Sequence, residues 1–173
     1  LHGLLCVYVD DFLIMAKQGE VRDRFIEAMT KVWEFGKEKT LLPGHPFTFL
    51  GLDWAVQPTG NIYLSQERFT LELLEKYGMT KCKPSKSVSM ERPPVEEDLP
   101  TPTQLKELQA FAGAFNWLAT RTRPDVAYYT SLLASSSSKQ ATWSKDLAHK
   151  IRRYLAGTST QGLRLPADGS EDD

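Results

Sequence analysis

Two adjacent carboxylates, Asp10 and Asp11, stand in the middle of an apolar run, "CVYVDDFLIMA" over residues 6–16. An ionised carboxylate among apolar neighbours is unfavourable unless it is paired or coordinates a metal. The flanking stretches 3–9 and 12–16 are rich in β-branched, aromatic and aliphatic residues and read as two strands. An Asp-Asp step would be the turn between them. Tight hairpin turns favour Asn-Gly, Asp-Gly or Gly-Gly, because their central positions need positive φ. Turn chemistry therefore explains the pair poorly, and divalent-metal chemistry explains it better. Mg²⁺ prefers oxygen ligands and is held by one or two carboxylates plus substrate phosphates, with Mn²⁺ as an alternative. A pair of such ions can stabilise both the attacking and the leaving oxygen of a phosphoryl transfer. Strands apolar on both faces also predict a strand pair buried within a larger sheet.

Several elements must hold that pair. Residues 20–35 set Val21, Phe25, Met29 and Val32 at helical spacing. A second hairpin is predicted over 47–57 and 61–65, joined through Pro58-Thr59-Gly60-Asn61. Ser65 can cap a helix over 66–77 with Phe69, Leu73 and Tyr77 on one stripe and Gly78 as its stop. Residues 80–100 are rich in Pro, Ser and Glu and read as a linker or extended strap. Thr101-Pro102-Thr103-Gln104 has the form of a capping box with Pro at the first helical position. The helix it opens, over 102–120, carries Leu105, Leu108, Phe111, Phe115 and Leu118 on more than one face and should be well buried. Pro124 restarts a helix over 124–134. Thr142 can cap another, with Trp143, Leu147, Ile151 and Leu155 inward and Gly157 at its end. The expected fold class is α+β: two β-hairpins with a helix, followed by an all-helical region.

The composition is that of an ordinary globular chain, with 41% hydrophobic and 25% charged residues in 173. No apolar run approaches the roughly 20 residues that span a bilayer, and no secretory leader is evident, so no membrane partner is expected. Cys6 and Cys82 lie far apart and form no ligand cluster, which suits a reduced, intracellular protein. His2, His45 and His149 share no motif. A net charge of −1 does not by itself suggest nucleic acid, which usually leaves a basic footprint. The charges are unevenly spread, however. Glu91, Glu96, Glu97 and Asp98 fall in one Pro-containing stretch and Glu171 to Asp173 at the end, whereas Arg121, Arg123, Lys139, Lys145, Lys150, Arg152 and Arg153 gather in the last third. Such a run is either a solvated face or a set of phosphate contacts. Lys150, Arg152 and Arg153 are the candidates for contacts to a nucleic-acid backbone.

Tyr8-Val9-Asp10-Asp11 resembles the Tyr-x-Asp-Asp hairpin of reverse transcriptases, and the remaining blocks resemble those of the Ty1/copia class of retrotransposons in the same order. "FLGLDW" (Phe49 to Trp54) is similar to the Phe-Leu-Gly segment of the primer-grip hairpin. "IYLSQERFTLELLEKYGM" (Ile62 to Met79) and "CKPSKS" (Cys82 to Ser87) resemble the opening of the thumb. "AGAFNWLATRTRPDVAYYTSLLAS" (Ala112 to Ser135) resembles the Thr-Arg-Pro-Asp helix pair, and "KIRRYLAGT" (Lys150 to Thr158) with "GLRL" (Gly162 to Leu165) the closing block.

The resemblance implies an RNA-directed DNA polymerase and assigns roles residue by residue. Asp10 would be a direct metal ligand and Asp11 a supporting one. Tyr8 and Val9 would flank the primer 3′ end and the new base pair, and Phe49, Leu50 and Gly51 would shape the primer grip. Trp54, Trp117 and Trp143 are expected in the core. The implied partners are an RNA or DNA template with its primer, deoxynucleoside triphosphates, and the remainder of a Pol polyprotein, integrase-like upstream and ribonuclease H-like downstream. The setting would be intracellular, in a cytoplasmic particle or the nucleus. Fingers, the first half of the palm and a further metal-binding aspartate precede this hairpin in the family, so the chain alone is expected to be inactive. An inactive or repurposed remnant that binds nucleic acid is the alternative. The stretch Gly36 to Thr48 is longer than the family's connection and leaves open which of Lys37 and Lys39 would stand near the leaving pyrophosphate. The expected domains are a partial palm over 1–65, a thumb-entry helix and linker over 66–100, a helical region over 101–165 and an acidic tail over 166–173.

Overall fold

The computed structural model describes residues 3–167; His2 and the acidic end beyond residue 167 lie outside them. The chain divides into two compact units, Leu1–Lys39 and Thr40–Asp173. The fold is mixed α+β, with two small antiparallel sheets and five α-helices among the described residues. The division falls after Lys39, so the two hairpins expected in one domain belong to different units.

In the first unit β1 (Gly3–Tyr8) and β2 (Asp11–Ala16) pair antiparallel from Gly3 opposite Ala16 to Tyr8 opposite Asp11. Their expected burial within a larger sheet is not met: among the described residues they pair only with each other, and β1 is exposed throughout. Apolar residues on both faces specify that a strand be covered, not what covers it. On one face Phe12 meets Phe35 edge-on with ring centroids 5.2 Å apart. Helix α1 (Glu20–Thr30) turns Arg22, Ile26 and Met29 inward as a half-buried stripe. Of the stripe expected from the sequence, Val21, Phe25 and Val32 are exposed. The two stripes share Met29, and a salt bridge of 2.7 Å from Arg22 to Glu38 tips the choice. The apolar stem of an arginine can occupy such a place while its head is paired.

The second unit holds a four-stranded meander in the order β3 (Phe47–Phe49), β4 (Leu52–Val56), β5 (Ile62–Ser65) and β6 (Gly162–Leu165). The stretch 47–57, expected to be one strand, is itself a hairpin folded at Leu50-Gly51. The Pro58–Asn61 turn is where the sequence suggests, with Gly60 at φ +85°. Helix α2 (Glu67–Lys76) follows. Ser65 ends β5 rather than capping it, and Gln66 takes the cap position. Gly78 then leaves the helix in the left-handed conformation, φ +66°.

Helix α3 (Pro102–Ala119) opens with the expected reciprocal box: Thr101 Oγ1 accepts from the Gln104 N–H, and Gln104 Oε1 accepts from the Thr101 N–H. A 3-10 turn (Pro124–Val126) leads to α4 (Ala127–Ser136), and α5 (Ala141–Gly157) completes the helical layer. Leu108, Phe111, Phe115, Leu118, Leu133, Leu147, Ile151 and Leu155 form its core, joined by Leu73 from α2. Trp143 is half-buried against it, and Leu105, Trp54 and Trp117, also expected inside, are half-buried.

Residues 83–98 are a strap pinned along α5 in the opposite direction. Arg153 Nε donates to the Lys83 carbonyl and the Ser85 N–H to the Arg153 carbonyl. Lys150 Nζ lies 3.2 Å from Met90 Sδ. At the far end the Asp98 carboxylate accepts from the Thr142 N–H at 2.8 Å, filling a cap that Gln140 does not supply. Hydrogen bonds from Thr142 hold the Asp98 pKa below its ordinary value.

Where α3 ends, Arg123 is buried, with 2% of its surface exposed. It donates to both Asp125 oxygens and to the carbonyl and hydroxyl of Thr158, while Tyr154 OH donates to Asp125 at 2.7 Å. Next to it Thr122 Oγ1 donates to Gln66 Oε1 at 2.9 Å. These bonds tie the end of α5 and the β5–α2 junction to one corner.

Two expectations follow. A Cβ at Gly157 would lie 2.5 Å from the Ser85 carbonyl oxygen. Helix propensity alone would make Gly157→Ala stabilising by about 1 kcal/mol. The collision with the strap should reverse that sign, for a loss of about 1–3 kcal/mol in chemical denaturation; a more stable variant would refute the close crossing. Burial pushes the Asp125 pKa up, but hydrogen bonds from Arg123 and Tyr154 outweigh it and leave the pKa lowered. Its stabilisation is thus complete above the unfolded value of about 3.9 and lost as pH falls through the lower folded value. Asp125→Asn should flatten the acid limb of the pH–stability curve, and an unchanged limb would count against this corner.

Candidate functional site

The β1–β2 register puts the turn one residue earlier than Asp-Asp. Tyr8 and Asp11 form the last cross-strand pair, and Val9 and Asp10 are the two loop residues. Val9 has φ +52°, whereas Asp10 is not among the positive-φ residues. Positive φ at the first central position alone is the pattern in which a II′ turn ordinarily carries glycine. A β-branched residue there is strained, by a cost on the order of 1–2 kcal/mol. The resulting tip displays Val9, which is 79% exposed, beside Asp10 and Asp11, also exposed. Strand alternation sends Tyr8 and Asp11 to the same face.

The two carboxylates are therefore neighbours on an open tip rather than a buried pair. They supply hard oxygen donors on consecutive residues. Among the described residues no group of three or more His, Cys, Asp or Glu gathers to hold a metal ion. Two carboxylates could hold Mg²⁺ or Mn²⁺ only as part of a ligand set, the share that proteins commonly provide when substrate phosphates complete the shell.

The second hairpin repeats the two-residue design. Phe49 and Leu52 close it, and Leu50 and Gly51 have φ +52° and +73°, the type I′ pattern. Of the expected Phe49, Leu50 and Gly51 strand, one residue is strand and two are turn. A Cβ at Gly51 would stand 3.2 Å from Trp117 Cζ2, so the turn backbone lies on that indole. Phe47 and Trp54 stack across the hairpin at 6.4 Å between centroids. The sequence signal for this arrangement was a lone Gly in a strand-like run, which marks a turn, bulge or close backbone approach.

Each of the three candidate backbone contacts on α5 has an intramolecular partner. Lys150 pairs with Asp146 at 3.2 Å and touches the strap, and Arg153 donates to the strap. Arg152 is half-buried, its guanidinium 4.3 Å from the Phe111 ring and 5.7 Å from that of Tyr77. All three hold α5, the strap and the core together. The acidic tip and the Leu50–Gly51 turn belong to separate units.

Three relatives put these features in context. An uncharacterized mitochondrial protein of Arabidopsis thaliana is 27% identical over 164 residues, 93% of this chain and 64% of its own length. The retrovirus-related Pol polyprotein from transposon RE2 of the same plant is 29% identical over 165 residues, 93% of this chain and 11% of its own length. The putative transposon Ty5-1 protein of Saccharomyces cerevisiae is 27% identical over 163 residues, 92% and 51% of the two chains. The chain is similar to a region of retrotransposon Pol polyproteins. It spans less than two thirds of each of these relatives. No family model and no solved structure matches it.

Replacing Val9 by Gly should relieve the left-handed strain and stabilise the hairpin by about 1 kcal/mol. Amide exchange over residues 3–16 should then slow by about fivefold. Faster exchange would show that Val9 is at ease where it stands.

Proposed function

We propose that the chain is a palm-and-thumb portion of an RNA-directed DNA polymerase from a copia-like retroelement. The observation that carries the reading is the tip of the first hairpin, Tyr8-Val9-Asp10-Asp11, with both carboxylates exposed on a tight turn. The Pol polyprotein relatives support it across nearly the whole chain. The apolar, exposed faces of β1 and β2 support it too, since palm strands supplied by the rest of the polyprotein would cover them. Template with primer, deoxynucleoside triphosphates and the flanking polyprotein are the partners this reading requires.

The reaction is attack of a primer 3′-hydroxyl on the α-phosphorus of a deoxynucleoside triphosphate, with pyrophosphate leaving. Divalent Mg²⁺, or Mn²⁺, supplies charge neutralisation and Lewis acidity when bound. Asp10 and Asp11 contribute two negative charges and hard oxygens at the tip. Tyr8 and Val9, exposed beside them, give the surface against which the primer end and the new base pair rest. The Leu50–Gly51 turn presents backbone to the primer strand. Catalysis of such transfers is mostly positioning plus electrostatic stabilisation. Two carboxylates on an uncovered hairpin provide little positioning, and that contribution can reach roughly 7–11 kcal/mol.

Primer extension in Mg²⁺ tests the reading in three preparations. The chain alone should give no extension, the chain joined to its preceding polyprotein half should extend, and Asp10→Asn in the joined protein should abolish extension. Full activity of the Asp10→Asn protein would refute the role of the tip. Failure of the joined protein would favour a repurposed remnant.

A further inference from the structure

The cations of the second unit differ in how far they are engaged. Lys150, Arg152 and Arg153 are engaged by the strap, an aspartate or aromatic rings. Arg121 is exposed and has no carboxylate partner among the described residues. Its guanidinium carbon lies 4.8 Å from the ring of Trp117. The same indole backs the Leu50–Gly51 turn. Trp117, the turn and Arg121 are thus in contact in series.

The backbone under Arg121 is fixed on both sides. Its own N–H donates to the Leu118 carbonyl, Thr122 is bonded to Gln66, and Arg123 is locked to Asp125 and Thr158. A guanidinium held over a ring with no carboxylate bound keeps N–H groups available, and its planar fork matches phosphate oxygens. Stacking also limits the rotamer entropy that would be lost on binding. The ordinary explanation of such a residue is complement to the C-terminal dipole of α3. That explains a positive charge here, but not its stacking beside a strained backbone turn.

We propose that Arg121 is a phosphate-contacting residue of the surface around the Leu50–Gly51 turn, and that its ligand is the sugar–phosphate backbone of a nucleic-acid strand, bound without regard to base sequence. This rests on the proposed function, because it names a contact of the turn assigned there to the primer. Trp117 is the positioning residue that fixes both the turn and the guanidinium.

The test is fluorescence anisotropy of a labelled primer–template duplex with the chain, over a range of salt concentrations. Arg121→Ala should reduce the slope of log affinity against log salt by about one and weaken binding by about eightfold at 0.1 M salt. Arg121→Lys should keep the slope and lose part of the affinity. Lys106→Ala, an exposed cation near the start of α3 and so at the opposite end of that helix from Arg121, should change neither. The thermal midpoint of Arg121→Ala should match that of the parent within a degree or two, which a purely structural role would not permit. Duplex binding with an unchanged slope in Arg121→Ala, or an equal change in Lys106→Ala, would overturn this proposal and leave the polymerase reading standing. A parent chain that binds no duplex would overturn both. Displacement of the duplex by polyglutamate at equal charge concentration would overturn the nucleic-acid assignment in favour of an acidic protein partner.

Discussion

The second unit depends on a charge that has been taken out of water. Arg123 keeps 2% of its surface exposed, yet its guanidinium donates to Asp125 and to both oxygens that Thr158 offers. A buried ion is tolerable only when paired and hydrogen-bonded, and leaving it unpaired costs about 3–5 kcal/mol. The two segments that supply its partners are therefore held in one arrangement. Asp125 comes from the turn between α3 and α4, and Thr158 from just beyond α5. Tyr154, on the last turn of α5, steadies Asp125. Because β6 starts four residues after Thr158, the same corner sets where the last strand joins the sheet. The end of α3, with Trp117 and Arg121, inherits this rigidity.

Against that fixed corner, the two hairpin turns are built with residues that do not favour their conformations. Val9 and Leu50 share φ +52°, where glycine or asparagine would sit more easily. Leu50 has a visible compensation, since Gly51 follows it and the turn rests on Trp117. Val9 has none within its own unit. Local strain that the immediate surroundings do not repay tends to occur where a ligand or a moving part meets the chain. The strain at Val9 thus falls on the same tip that carries the two solvent-facing carboxylates.

Much of the helical layer was legible in the sequence because its signals are local. The Thr101–Gln104 box, Gly78, Gly157 and the spacing of Leu108, Phe111, Phe115 and Leu118 each depend on residues within a turn or two. What escaped was long-range or degenerate. Asp98 caps a helix 44 positions away, and nothing in its neighbours announces that. Arg123 reads as one cation in a basic stretch, and only the fold shows that Thr158 reaches it. The inward stripe of α1 was ambiguous because two stripes share Met29. The hairpin at 47–57 was missed because Leu50 is a poor turn residue and hides the meaning of Gly51. At the acidic tip the hairpin was legible, but the pair is exposed rather than buried and the turn was placed one position late. The register depends on the strand pairing, which the Asp-Asp step does not reveal.

The net charge of −1 gains its meaning from this arrangement. A chain that meets nucleic acid through a broad basic face would show a surplus of free cations, and here Lys150 and Arg153 of α5 are engaged with the strap and Arg152 with aromatic rings. Affinity for a phosphate backbone then has to come from a few cations whose orientation is fixed in advance, because each fixed cation forfeits less entropy on contact than a free lysine. Arg121 on Trp117 is such a cation, while on the strap Glu97 is committed to Lys139 and Asp98 to the start of α5. Balanced composition is thus compatible with a phosphate-reading surface, provided that the anions are committed elsewhere. In this fold the strap commits two of them, Glu97 and Asp98.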